Sequence, residues 1–217
     1  MTVHAVPFSP RRALALLMLA VAGFVVVSAF DRIAFEHAYL PGAERRDWHR
    51  LLRVMGYWPA WLAAAGAMLL IDSGRPARAF EPPLRDRWSR AAVLAISTGL
   101  AGLAAELLKL VFRRERPDMH AGEYVFRSIL EATFRTSGLA LPSSHAAVAA
   151  AASAALCYLH PRAWPVWVVL GAGCAGTRVL DRAHFLSDVY LGAIVGYAAF
   201  LFVRRLHEAH GAGAAHH

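Results

Sequence analysis

Six stretches of the chain stay apolar over a length that suits a bilayer, whose hydrocarbon core takes roughly 20 helical residues to cross. They run Ala13 to Phe30, Met55 to Ile71, about Ala91 to Phe112, Ser144 to Leu159, Ala163 to Leu180 and Phe185 to Val203. Arg11 and Arg12 lead into the first, and Tyr57, Trp58 and Trp61 stand at the entrance of the second, where aromatic side chains mark a membrane–water boundary. The pattern predicts an all-α, polytopic bundle of six transmembrane helices, forming a single integral-membrane domain over residues 1–217. Between the apolar runs lie Asp31 to Arg53, Ser73 to Arg90 with Pro82 and Pro83, and the longest connection, Arg113 to Pro142. Glu44 to Leu52 sets Trp48, Leu51 and Leu52 against Arg45, Arg46, Asp47 and Arg50, the pattern of an interfacial helix. Residues 206–217, with Gly211 and Gly213, read as a flexible tail. Val27-Ser28-Ala29 would also serve as a cleavage site after a secretory signal. The apolar run before it exceeds the roughly 7 to 15 residues of a signal core, so a retained first span is the expectation.

Composition narrows the class. Of 217 residues 58% are hydrophobic and 18% charged, more apolar surface than a soluble globule of this size can hide. Two cysteines exclude a disulfide scaffold or a cysteine-rich metal module. The 23 basic residues against 15 acidic give a net charge of +8, and all but one of the basic residues are Arg, the exception being Lys109. If Arg11 and Arg12 are cytoplasmic, the loops after spans one, three and five lie outside. The loop carrying Arg75, Arg78, Arg85, Arg87 and Arg90 is then inside. The outer loops hold as many Arg residues, so the usual positive-inside asymmetry holds only if some of those have another task. The expected partners are the bilayer and an anionic membrane lipid, with no nucleic acid.

Three polar groups interrupt the pattern where bilayer-facing sequence should continue. Lys109 is followed by Arg113, Arg114, Arg116 and Pro117, projecting several cations from the end of span three. A stop-transfer cluster would look the same. Pro142-Ser143-Ser144-His145 opens span four with helix-start chemistry: hydroxyls that cap, and first-turn N–H groups that attract anions. Thr177-Arg178 is followed by His184 and Asp188, four residues apart, so that a carboxylate can orient an imidazole as in histidine nucleophiles and bases. An acid one turn into an apolar helix is functional by default, although a purely structural ion pair between helices would need the same residues. The six-span topology puts all three groups at one membrane face. Glu106 reads as a structural partner for a cation, and Cys157 and Cys174 as packing residues. Arg113, Arg114 and Arg182 are candidates for headgroup contacts.

These residues resemble the three-part signature of the type 2 phosphatidic acid phosphatase superfamily. Six residues separate Lys109 from Arg116-Pro117, Pro142-Ser143-Ser144-His145 follows, and five residues separate Thr177-Arg178 from His184, with three more between His184 and Asp188. Ser144 stands where the signature has glycine, and Thr177 where it has serine. The resemblance implies metal-independent removal of a terminal phosphate from a membrane lipid phosphate or pyrophosphate, without a cofactor. It also implies that His184 attacks phosphorus to form a phosphohistidine, that Asp188 orients it and that His145 is the general acid. Lys109, Arg116, Arg178, Ser143 and Ser144 would bind the phosphoryl oxygens. The expected setting is a bacterial inner membrane with the site facing the periplasm. Phosphoryl transfer to another lipid, and non-catalytic binding of anionic lipid, are the competing readings. The resemblance leaves open which lipid is used: undecaprenyl pyrophosphate, phosphatidylglycerophosphate, phosphatidic acid or lipid A 1-phosphate.

Overall fold

A computed structural model describes residues 9–73 and 84–213. Arg75, Arg78, Pro82 and Pro83 of the basic loop lie outside the described residues, as do residues 214–217. The elements are helical: α1 (Pro10–Ser28), α2 (Asp31–His37), α3 (Asp47–Val54), α4 (Trp58–Ser73), α5 (Leu84–Phe112), α6 (Ser144–Leu159), α7 (Trp164–Leu180) and α8 (Leu186–Gly213). Every apolar run of the sequence is therefore a helix, and α8 continues through residues 206–213, where composition suggested a tail.

The number of spans differs from the sequence expectation. Among the described residues four helical segments are long and apolar enough to cross a membrane: Pro10–Ser28, Arg90–Phe112, Pro161–Leu180 and Leu186–Ala209. The pair α3 and α4 makes a fifth only if taken together, and it is bent by 67°. The remaining expected span, α6, has 16 residues. At 1.5 Å rise per residue it is about 24 Å long, short of a hydrocarbon core of roughly 30 Å. The bend also accounts for the amphipathic segment read from the sequence: α3 turns away from α4 and packs against α7.

Short α6 is the hub. It packs against α5, α7 and α8, and nine of its residues are buried, seven of them Ala or Val. Small side chains let neighbouring backbones approach closely, the packing device of membrane helices, where the hydrophobic effect does not drive helix association. Gly192 and Gly196 on α8 use it directly. A β-carbon on Gly192 would lie 2.5 Å from the Ser143 carbonyl oxygen, and one on Gly196 would collide with the carbonyl of Ala147. Larger apolar residues, Val93, Leu94, Leu156, Phe200 and Val203, form the core farther from this crossing. In α1 no residue is buried, and Leu14, Leu16, Leu17, Leu19, Val25 and Val26 are exposed, as on a helix whose solvent is lipid. Tyr190 of α8 reaches it beside Gly23 and donates a 3.4 Å hydrogen bond to the Ala20 carbonyl.

Residues 113–142 are ordered by their own backbone. Three extended pieces pair side by side: Glu115 N donates to Val125 O (2.8 Å), Arg127 N to Arg113 O (2.9 Å), Arg116 N to Gly138 O (2.9 Å) and Ala140 N to Arg114 O (2.7 Å). Arg113 sits beneath them. Its guanidinium donates to the carbonyls of Arg127, Ser128, Glu131 and Thr133 at 2.5 to 3.3 Å. Glu115 binds Arg127 Nε (2.7 Å) and His120 Nε2 (2.5 Å), and the Arg127 guanidinium, with His120 second, holds the carboxyl below its ordinary value. The connection thus forms a fixed cap over one end of the bundle.

Candidate active site

The end of α5, the starts of α6 and α8 and the turn after α7 meet beneath this cap. Lys109, one turn before the end of α5, is 5% exposed, and its Nζ donates to Ser144 Oγ at 2.8 Å and to Glu106 Oε1 at 2.6 Å. Glu106 is thus the cation's partner, as the sequence suggested. Ser144, the departure from the signature's glycine, supplies Lys109 with a second acceptor. At the α6 start Ser143 is the N-cap: its Oγ accepts from Ala146 N at 3.5 Å, and its own N–H donates to the Asp188 carbonyl at 3.0 Å. That main-chain bond joins two motifs 45 residues apart.

Arg178, 4% exposed in the last turn of α7, uses Nη1 on Asp181 Oδ2 at 3.0 Å. Its Nε, like the Nε of Arg116, is buried without a protein acceptor. Buried N–H groups without partners are uncommon and costly; two guanidinium groups doing this beside a helix N-terminus suit a multiply charged oxyanion. Asp181 Oδ1 lies 2.8 Å from Nε2 of the fully buried His49 of α3, without hydrogen-bond geometry. Gly56, at the corner between α3 and α4, lies against His145, and a β-carbon there would come within 2.8 Å of the His145 Cβ. The same corner brings Arg53 close enough for its charge to act on both Arg178 and His145, a cation that no motif had singled out. Among the described residues no cluster of three or more His, Cys, Asp or Glu is arranged to hold a metal ion.

His184 is 3% exposed, in the turn between α7 and α8. Its Nδ1 is 3.0 Å from the Ala140 carbonyl oxygen, which can only accept, so Nδ1 carries the proton and Nε2 the lone pair. Asp188 stands farther off than the sequence reading implied, its Oδ2 being 3.8 Å from Nδ1. Burial pushes the imidazole below its ordinary value, opposed by the Asp188 carboxylate. Asp188 is fully buried and bound elsewhere. Its Oδ2 accepts from Phe185 N at 2.7 Å and its Oδ1 from Arg114 Nε at 3.0 Å, with Arg114 Nη2 closing a second bond.

Arg114, weighed from sequence as a headgroup contact, is instead an internal ion-pair partner, lying against the Tyr124 and Phe185 rings. Arg113 is committed to the cap. Arg182 donates to the Phe35 carbonyl (2.9 Å) and lies over the Phe35 and Tyr39 rings. Arg113 and Arg114 thus go to different partners, for a reason sequence cannot supply: adjacent Arg residues leaving one helix point in different directions.

The family model for the PAP2 superfamily matches residues 90–212, more than half of the chain. The chain belongs to the PAP2 superfamily. The matched region holds every residue of the cationic cluster read above except Arg53. Two curated relatives are similar, both named lipid A 1-phosphatase. One, from Rhizobium johnstonii, is 32% identical over 105 residues, covering 48% of this chain and 43% of the relative. The other, from Rhizobium etli, is 29% identical over 143 residues, covering 63% of this chain and 61% of the relative. The aligned parts thus fall short of two thirds of either relative's length. No solved structure matches the chain significantly. The PAP2 superfamily match leaves out α1 to α4, so the His49–Asp181 contact and the Gly56 corner are found in the structure alone.

Proposed function

We propose that this PAP2 superfamily protein is a lipid phosphatase that hydrolyses a terminal phosphate from a membrane lipid through a phosphohistidine at His184. The observation that carries the reading is the pair of buried Nε–H groups of Arg116 and Arg178 without protein acceptors, beside Lys109 and a buried histidine of defined tautomer. The phosphoryl group would sit at the α6 N-terminus, its oxygens bound by Lys109, Arg116, Arg178, Ser143 and Ser144. The Nε2 lone pair of His184 forms the P–N bond as the P–O bond to the lipid breaks, and His145 gives its proton to the departing lipid oxygen. Water then attacks phosphorus, the P–N bond breaks, and His145 takes up the water's proton. Ala140 and Asp188 hold the ring through both steps.

In this reading six helices cross the membrane. α6 manages with 16 residues because it starts beneath the cap, inside the protein, where its first turn faces the phosphate and not lipid. With α1 entering from the cytoplasm the capped end faces the periplasm of a bacterial inner membrane. The names of the two relatives favour a lipid A 1-phosphate over undecaprenyl pyrophosphate, phosphatidylglycerophosphate or phosphatidic acid.

The test is phosphate release from each of these four lipids by purified protein in detergent, with chelator present, alongside His184→Ala. Release from the wild type and none from the variant is expected. Turnover by His184→Ala would end the phosphohistidine mechanism, and lipid binding without any release would favour a non-catalytic binder. Transfer of label to an added lipid alcohol would favour a phosphotransferase.

A further inference from the structure

The polar network behind Asp188 extends to a residue far away in sequence. Asp31, the first residue of α2, is 1% exposed and has no cationic partner among the described residues. Its Oδ1 accepts from Ser187 N at 2.8 Å, and its Oδ2 accepts from Tyr124 Oη at 2.7 Å and from Ser187 Oγ. Burial, with Asp31 second, pushes the Tyr124 phenol up to about 12, so it remains a donor. Because Ser187 Oγ gives its single proton to Asp31, its lone pairs face the other way, and there Arg114 Nη2 donates to it at 2.7 Å. Arg114 then binds Asp188 Oδ1, leaving Oδ2 beside Phe185 N and the Nδ1 edge of His184.

We propose that Asp31 is a positioning residue of the phosphoryl-transfer site, acting through Ser187 and Arg114 on the Asp188–His184 pair. This rests on the phosphohistidine reading above. Two physical effects follow from the arrangement. The first is geometric: Asp31 fixes the Ser187 hydroxyl, which fixes the guanidinium, which fixes the carboxylate. The second is electrostatic. A histidine that forms a P–N bond through Nε2 while keeping its Nδ1 proton becomes cationic, and the carboxylate beside it, Asp188, is held in place by this chain. Its charge is worth most at that moment, in surroundings where water does not screen it. Asp31 also follows directly on α1, so the helix with no buried residue of its own is joined to the site by this carboxylate.

Asp31→Asn keeps the acceptor for Ser187 N and removes the charge and the acceptor for Ser187 Oγ. The expected result is a kcat lower by roughly 10- to 100-fold, the scale set by small misplacements of catalytic groups, with KM within about threefold and an unchanged unfolding midpoint. Single-turnover phosphohistidine formation slows in proportion. Ser187→Ala breaks the same chain at its next link, so it lowers kcat alike, and the double variant is no slower than the slower single one, as coupled positions require. Tyr124→Phe leaves the link to Ser187 intact and costs less than either. Unchanged kcat in Asp31→Asn, or losses in the two variants that multiply in the double, would overturn the proposal. So would a kcat loss fully matched by a smaller folded fraction. Inactive His184→Ala beside fully active Asp31→Asn sinks this inference alone, whereas active His184→Ala sinks the mechanism on which it rests.

Discussion

The cap and the anion site lie side by side, and both are built on arginine, but they treat it in opposite ways. In the cap, Arg113 satisfies four carbonyls, Arg127 binds Glu115, and Arg114 is matched to Asp188 and Ser187. In the site, Arg116 and Arg178 each keep a buried Nε–H with no protein acceptor. A fully matched buried guanidinium stiffens a structure, whereas an incompletely matched one pays a standing desolvation cost that an arriving oxyanion relieves. Neighbouring residues of one type therefore divide into scaffold and binding groups by what surrounds them, and each group should fail differently when removed.

The sharpest separation comes from Arg178→Ala. We expect kcat/KM to fall on the order of 1,000-fold, about 4 kcal/mol of transition-state stabilisation, with the unfolding midpoint in detergent falling less than in Arg114→Ala, because only the bond to Asp181 is lost. A large drop in the midpoint would place Arg178 with the scaffold. Arg114→Ala should instead strip a buried carboxylate of its partner and cost about 3 kcal/mol of stability in addition to activity. Lys at that position should not restore it, because an ammonium cannot span Asp188 and Ser187 as the guanidinium fork does. Arg113→Ala is the cap's own test. Losing the donor to four carbonyls should cost about 2 kcal/mol and open residues 113–142 to limited proteolysis, while the unfolding of the helices changes little.

Smaller effects refine the boundary between the two regions. Ser144→Gly restores the residue of the family signature and removes one acceptor from Lys109, so KM should shift by about threefold or less with little change in kcat, as titration with substrate would reveal. His184 lies between cap and site. With its pKa held below the ordinary 6.5 by burial, nitrogen-15 NMR of labelled histidine should show it neutral at pH 6.5. The unfolded chain takes up that proton first. This histidine's contribution is therefore level above the ordinary value, and stability declines as pH falls below it toward the folded pKa. Titration of His184 at or above 6.5 would contradict the burial that separates it from solvent.

How far the site could be read in advance depended on the kind of contact. Lys109 with Glu106 and Ser143 with Ala146 are local, three residues apart, and helix geometry makes them legible from spacing. The pairing of His184 with Asp188 was read by the same rule, yet the ring meets Ala140, 44 residues away, more closely than its helical neighbour. Asp31 was passed over because an acid just after an apolar run looks like any polar boundary residue. Its signal, that it is the first charged residue after Arg12 and stands at the end of a span, was present but had no motif to attach to.

Hydrophobic run lengths were enough, by themselves, to mark an all-helical membrane protein, because they depend on periodicity within single helices, and the three spaced motifs carried the resemblance to the family that the PAP2 superfamily match shows. Tertiary structure alone decided that α3 turns 67° away from α4 and packs against α7, and that α6 is the hub of the bundle. It alone also sorted the arginines into fully and incompletely matched. A side chain's direction and its acceptors come from segments distant in the chain, and a one-dimensional pattern does not carry that information.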